Sequence, residues 1–192
     1  MIPTAVNGNV QMDVQGDMKE IVWDLRVLHP DLVRRAQVAA INKTARAIRG
    51  RTVKGIANSA GIKPQKLIRQ RSRVSPAKFR RLRAIIRFYL DPMPAQAMKP
   101  KAPRGGGVTA ASGTHVWPKG FKGTARAGRG KSKKSAWQRT GPRAYPIEKL
   151  KVPLEGKAPI LAKVGNRLMV GRFKKTLDHE LTYRLKKYAG RL

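Results

Sequence analysis

Residues 33–49 read VRRAQVAAINKTARAIR, and the way this run sorts on a helix decides the fold. At about 100° per residue, Val33, Ala36, Ala40, Ile41, Thr44, Ala47 and Ile48 share one arc, and Arg34, Arg35, Lys43, Arg46 and Arg49 share the opposite one. The run predicts an amphipathic helix with a wholly basic outer face. A face of mixed charge commonly does no more than meet water. A face of one sign repels itself, and an anionic polymer is its natural partner.

The same bias extends outward. Leu32 to Leu90 carries seventeen Lys and Arg and no Asp or Glu, within a 192-residue chain of net charge +33. By segment the charge is −3 for residues 1–31, +17 for 32–90, +11 for 91–147 and +8 for 148–192. Repulsion on that scale must be offset by a bound polyanion or by acidic neighbours. The 41% apolar content suffices for a core in one domain. Cysteine is absent, which removes disulfides and thiolate metal sites. No apolar run approaches the ~18 residues of a membrane span, and no basic n-region precedes an apolar core at the start, so the reading is of a soluble protein used inside a cell or a particle.

Ahead of the basic helix, Val10, Met12 and Val14 alternate with polar residues as in a short half-buried strand. Asp17 and Glu20 then have capping-box spacing before Ile21, Val22, Leu25 and Leu28, predicting a helix over 17–28 that Pro30 ends. The basic helix is predicted over 31–60, capped by Asp31 and stopped at Gly61. Lys63-Pro64 opens a further short turn through Leu67, Ile68 and Arg69.

Leu82, Ala84, Ile86, Phe88 and Leu90 alternate with Arg81, Arg83, Ile85, Arg87 and Tyr89, a strand of period two with one apolar and one largely basic face. From Lys99 to Ser135 the composition turns to Gly, Ser, Ala, Pro and Lys/Arg, with too little apolar surface to offset the entropy of ordering it. The expectation is a basic arm, flexible alone and ordered against partners, anchored by Trp117 and Phe121. Ala136–Arg139 and Tyr145–Val152 predict two short strands about a Gly141-Pro142 turn, in which Trp137 and Tyr145 are further candidate anchors. Pro146 and Pro153 place this pair at a sheet edge, and Ile147 is one register step out of phase with Leu150 and Val152. Helices close the chain, one from Ile160 to about Met169 and then a stripe of Phe173, Leu177, Leu181, Leu185 and Tyr188 that suits core or subunit packing.

The predicted fold is α+β: N- and C-terminal helices packed on a small, mostly antiparallel sheet. A single domain is built from 1–98 and 136–192, with the arm 99–135 between them. Catalytic signatures are missing. Gly130-Lys131-Ser132 lacks the second glycine of a phosphate loop, since position 125 is alanine. His29, His115 and His179 have no metal-ligand spacing, and no serine is marked by a placed base. The chemistry predicted is therefore non-enzymatic, with no cofactor and no metal.

Three pieces in order, Ala39-Ala40-Ile41-Asn42-Lys43-Thr44-Ala45, Arg69-Gln70-Arg71-Ser72-Arg73-Val74 and the run Arg143 to Pro153 with its Tyr145-Pro146-Ile147, resemble the minor tail protein Z family of long-tailed phages, also described as tail completion proteins. The resemblance covers most of the chain and is thinnest over 92–135. It implies an α+β virion component that forms a ring, sixfold, at or near the head–tail joint. Its implied partners are copies of itself, neighbouring tail terminator, tail tube or head-joining proteins, and double-stranded DNA held without regard to sequence. The implied location is the virion, with the host cytoplasm as the place of assembly.

Within that reading the DNA contacts are expected on Arg34, Arg35, Lys43, Arg46 and Arg49 of the helix and on Arg126, Arg129, Lys131, Lys133 and Lys134 of the arm. The competing reading is a ribosome-associated or other RNA-binding protein. Against it, the only aromatic pair in the basic strand, Phe88-Tyr89, points to opposite faces. A nuclease would need acidic metal ligands in the basic region, and Leu32–Leu90 has none.

Overall fold

Residues 4–6, 9–14, 30–63, 65–125, 133–143 and 146–190 are described by a computed structural model. The fold is α+β, as the two sequence periods predict. The helix expected over 17–28 lies outside the described residues. The chain forms two compact units: one from Met1–Val53, Arg71–Tyr89 and Ala158–Leu192, the other from Lys54–Gln70 and Leu90–Lys157.

In the first unit, strands β1 (Thr4–Val6), β2 (Asn9–Val14), β3 (Ser72–Ser75) and β4 (Ala84–Tyr89) make an antiparallel sheet of order β1-β2-β4-β3. The alternation read at residues 82–90 is β4. It is a central strand, and this corrects the simple two-faced pattern: Ile85, on the basic side by parity, is only 8% exposed, whereas Arg87 beside it is exposed. Strand β3 came without a periodic signal, because its four residues Ser-Arg-Val-Ser hold a single apolar side chain.

Helix α1 (Pro30–Ser59) is the predicted basic helix. Pro30 opens it rather than merely ending a preceding one, since a missing N–H costs nothing in the first turn. Its buried side chains recur every fourth residue, Ala36, Ala40, Thr44, Ile48, Thr52 and Ile56, with Ile41, Ala45, Val53 and Ala57 beside them. Four residues overshoot a 3.6-residue turn by about 40°, so the buried stripe winds around the helix.

Three side chains tie α1 to the strand segment beside it. Arg34 Nε donates to Phe79 O at 2.7 Å, and Arg49 donates to Ser72 through Nε to Oγ at 2.8 Å and through a terminal nitrogen to O at 3.0 Å. Between them Asn42 Nδ2 donates to Ala77 O at 3.0 Å while Ala77 N–H donates to Asn42 Oδ1 at 2.7 Å. The order 34–79, 42–77, 49–72 means that residues 72–79 run antiparallel along the helix. Fifteen helical steps from Arg34 to Arg49 cover about 22 Å, and seven extended steps from Ser72 to Phe79 cover up to about 23 Å. The end-to-end lengths match, which lets the two arginine ties form together at the two ends of the segment.

Helix α3 (Ala158–Ala189) is continuous where the sequence suggested more than one helix. It lies against β2 and buries Leu161, Leu168, Phe173, Leu177 and Leu181. The predicted stripe ends there, since Leu185 is half-buried and Tyr188 is 52% exposed.

The second unit has helix α2 (Lys66–Gln70) and strands β5 (Met93–Pro94), β6 (Val108–Thr109), β7 (Val116–Trp117), β8 (Gly120–Ala125), β9 (Lys133–Arg139), β10 (Ile147–Lys149) and β11 (Lys151–Val152). Strands β10, β9 and β8 form one sheet, β11 pairs with β5, and β6 pairs with β7. The register step read between Ile147 and Leu150 is where the chain changes partner. Leu150 N–H donates to Ala136 O at 3.0 Å and its carbonyl accepts from Ala95 N–H at 2.8 Å. Its side chain packs with Ala95, Val108 and Ala136, and Trp117 covers them. Of the segment expected as an arm, residues 99–125 and 133–135 are described and hold β6, β7, β8 and the start of β9. Gly120 is the reason they close on the core: a Cβ there would stand 2.9 Å from Leu150 Cδ1 and 3.1 Å from Val108 Cβ.

The carboxyl end of the first long helix is finished by the β6–β7 hairpin. Gly61 takes φ +59°, Thr114 Oγ1 donates to Gly61 O at 2.5 Å, and His115 Nε2 donates to Ala60 O at 2.6 Å. The imidazole stacks on Trp117 at 5.7 Å between centroids.

Asn42→Asp keeps the shape of the side chain but replaces its donor with an oxygen that faces Ala77 O. Urea unfolding should show a stability loss of about 1–3 kcal/mol with an unchanged m-value. A loss no larger than that of an exposed substitution would show that the Asn42–Ala77 pair does not hold the segment to the helix.

Candidate functional site

Basic side chains dominate the surface, so the question is which of them the fold already uses. On α1, Arg34, Asn42 and Arg49 fall within an arc of about 80° at 100° per residue, and that arc is covered by residues 72–79. The guanidinium of Arg34 also stands 5.3 Å from the centroid of the Phe79 ring. Lys43 faces the other way and pairs with Glu180 of α3. Arg184, one turn further on, reaches the second oxygen of the same carboxylate at 3.5 Å. Glu180 is 6% exposed, so this buried acid draws on two cations. Three of the five nominated helix residues thus serve the fold, and Arg35 and Arg46 remain exposed beside the covered arc. Arg35 borders an open cavity of about 370 Å³ with Asp31, Tyr183, Arg184, Lys187 and Tyr188.

Of the nominated arm residues, Arg126, Arg129 and Lys131 lie outside the described residues, as does Tyr145. Lys133 and Lys134 are placed by their backbone in β9, opposite Ala125 and Thr124. The other aromatic anchors contribute to the second unit itself. Trp137 is 9% exposed, sits opposite Phe121 across β8–β9, and donates from Nε1 to Gly123 O at 3.2 Å. Arg139 stands 5.8 Å from the Phe121 ring centroid and Lys149 stands 5.6 Å from that of Trp137. Cations on aromatic faces keep these long side chains against the sheet.

The sheet of the first unit adds a feature the sequence reading missed. The register places Arg73 of β3 directly opposite Arg87 of β4, and both are exposed. The basic character of the 81–89 face was legible, but its partner was not, because β3 carries no strand signal of its own.

Among the described residues no group of three or more His, Cys, Asp or Glu could hold a metal ion, and no helix is long and apolar enough to cross a membrane. The described surface offers extended positive charge, which suits binding of a polyanion more than chemistry on a small substrate. A family model described as prophage minor tail protein Z matches residues 15–191. Neither a curated protein nor a solved structure matches the chain.

The division on α1 has a direct consequence for substitutions. Arg49→Gln should cost about 1–3 kcal/mol of stability by stranding the Ser72 groups, and Arg46→Gln should stay within about 0.5 kcal/mol. Thermal unfolding of the two variants checks this. Equal midpoints would return Arg49 to the surface set.

Proposed function

The chain belongs to the prophage minor tail protein Z family, and from that premise we propose that it closes the tail as a sixfold ring at or near the head–tail joint and positions the DNA there. Its coarse role is that of a structural component of a phage tail. The reading is of a protein that works by shape and charge, without catalysis. What supports the DNA contact is the family together with a net charge of +33.

Magnitudes divide that charge between partners. Six copies at +33 each would carry +198, whereas duplex DNA offers one negative charge per ~1.7 Å, on the order of 25 across a ring roughly 40 Å tall. DNA in the lumen cannot neutralise them all. One set of Lys and Arg therefore faces DNA, and the remainder docks on acidic surfaces of neighbouring tail terminator, tail tube or head-joining proteins. Arg35 and Arg46 on the helix, with Arg126, Arg129, Lys131, Lys133 and Lys134, are the proposed DNA set. Contacts go to phosphates alone, because base readout would stall a duplex that has to slide.

A photo-crosslinking amino acid at positions 35, 46 and 129 tests the division in assembled particles. DNA-filled particles should give protein–DNA adducts spread over unrelated sequences, and native mass measurement of the released ring should give six copies. Adducts to tail proteins alone at all three positions would end the DNA reading while leaving the tail assignment intact.

A further inference from the structure

Arg73 and Arg87 occupy directly opposed positions on β3 and β4. Side chains so placed leave the sheet on the same face with their Cβ atoms about 5 Å apart. Their neighbours on each side, the pairs Ser72–Phe88 and Val74–Ile86, point the other way and hold the register: Ser72, Phe88 and Ile86 are 4%, 1% and 0% exposed, and Ser72 is bonded to Arg49. The arginines cannot escape one another by a slip of the strands, because a one-residue slip would expose Phe88 and Ile86.

Like charges directly opposite are unfavourable in a sheet. Nothing in the packing requires them, since both side chains are exposed. The buried carboxylate of Glu180 is taken by Lys43 and Arg184. Two guanidiniums fixed at this separation become favourable together when an anion sits between them, and the planar fork of each matches a phosphate bidentately.

We propose that Arg73 and Arg87 form a clamp for a single backbone phosphate of duplex DNA, on the face of the β3–β4 pair that the two side chains share. The clamp rests on the DNA-contact reading above and adds a site to it. DNA is favoured over an acidic protein surface by the setting. The pair belongs to the run Leu32–Leu90, whose sequence holds seventeen Lys and Arg and no Asp or Glu, and a repeating anion can follow such a run where a lone carboxylate cannot.

Fluorescence anisotropy of the full-length protein with two unrelated labelled duplexes, across a salt series, tests the clamp. Arg73→Gln and Arg87→Gln should each weaken binding by about tenfold and leave the salt slope unchanged, because the phosphate stays neutralised by the remaining arginine. The double variant should reduce the slope by about 0.9, one phosphate. Its unfolding midpoint should equal or exceed that of the unsubstituted protein, an outcome a merely structural pair would not give. Removing two charges elsewhere, Lys174→Gln with Lys175→Gln, controls for net charge and should weaken binding less.

A slope reduced by about 1.8 in the double variant would mean two separate phosphates and would overturn the clamp. So would affinity within twofold of the unsubstituted protein. Should that variant bind DNA normally but fail to enter particles, the pair meets an acidic neighbour instead. If the unsubstituted protein binds neither duplex, the DNA reading itself falls and takes the clamp with it.

Discussion

The first unit depends on one side-chain amide. Residues just beyond β3 are outside the ladder, and the N–H and C=O of Ala77 would need other partners. Asn42 supplies a donor and an acceptor at once, at 3.0 and 2.7 Å, and so does for Ala77 what a neighbouring strand would do. Arg34 and Arg49 extend the same service to Phe79 and Ser72. The placement of β3 fixes its register with β4, and β4 in turn sets β2. Part of the positive charge of α1 is thus spent on carbonyl oxygens, where a permanently charged guanidinium makes a stronger bond than a neutral donor.

Glu180 does the corresponding work for α3. A carboxylate this buried is destabilising unless paired, and it is met by Lys43 across from α1 and by Arg184 on its own helix. The i,i+4 spacing of Glu180 and Arg184 is a property of α3 alone, whereas the Lys43 contact ties that helix to α1. In a chain with ten acids and forty-three Lys and Arg, placing one of the few carboxylates in the interior leaves still fewer to offset the positive charge outside.

Much of this was legible because period and composition are local. The basic helix, the strand at 84–89, the strands after residue 136 and the family all follow from residues near one another in sequence, although of the pair expected at a sheet edge only β10 is an edge strand and β9 lies between it and β8. Strand β3 was not legible, nor were β6, β7 and β8, since Gly, Ser and Lys carry no alternation and their order comes from contacts such as those of Gly120 with Leu150 and Val108. The helix face was read correctly as basic but not as partly covered. Coverage depends on a segment some thirty residues away, and amphipathicity cannot report whether the polar face meets water or backbone. Trp117, Phe121 and Trp137 stood out as aromatic, which a sequence shows, while their use within the second unit depends on strand pairing, which it does not.

The hairpin bonds at the end of α1 also bear on the order in which the chain matures during synthesis. The carbonyls of Ala60 and Gly61 wait for His115 and Thr114, which lie 55 and 53 residues downstream. At about 5–20 residues per second that is a delay of roughly 3–11 s. Glu180 emerges later still, so Lys43 has no carboxylate to meet until most of the chain is made. Throughout that interval the emerging polypeptide is a polycation beside ribosomal RNA, and its final structure must draw its basic side chains away from a competing polyanion as the last helix arrives.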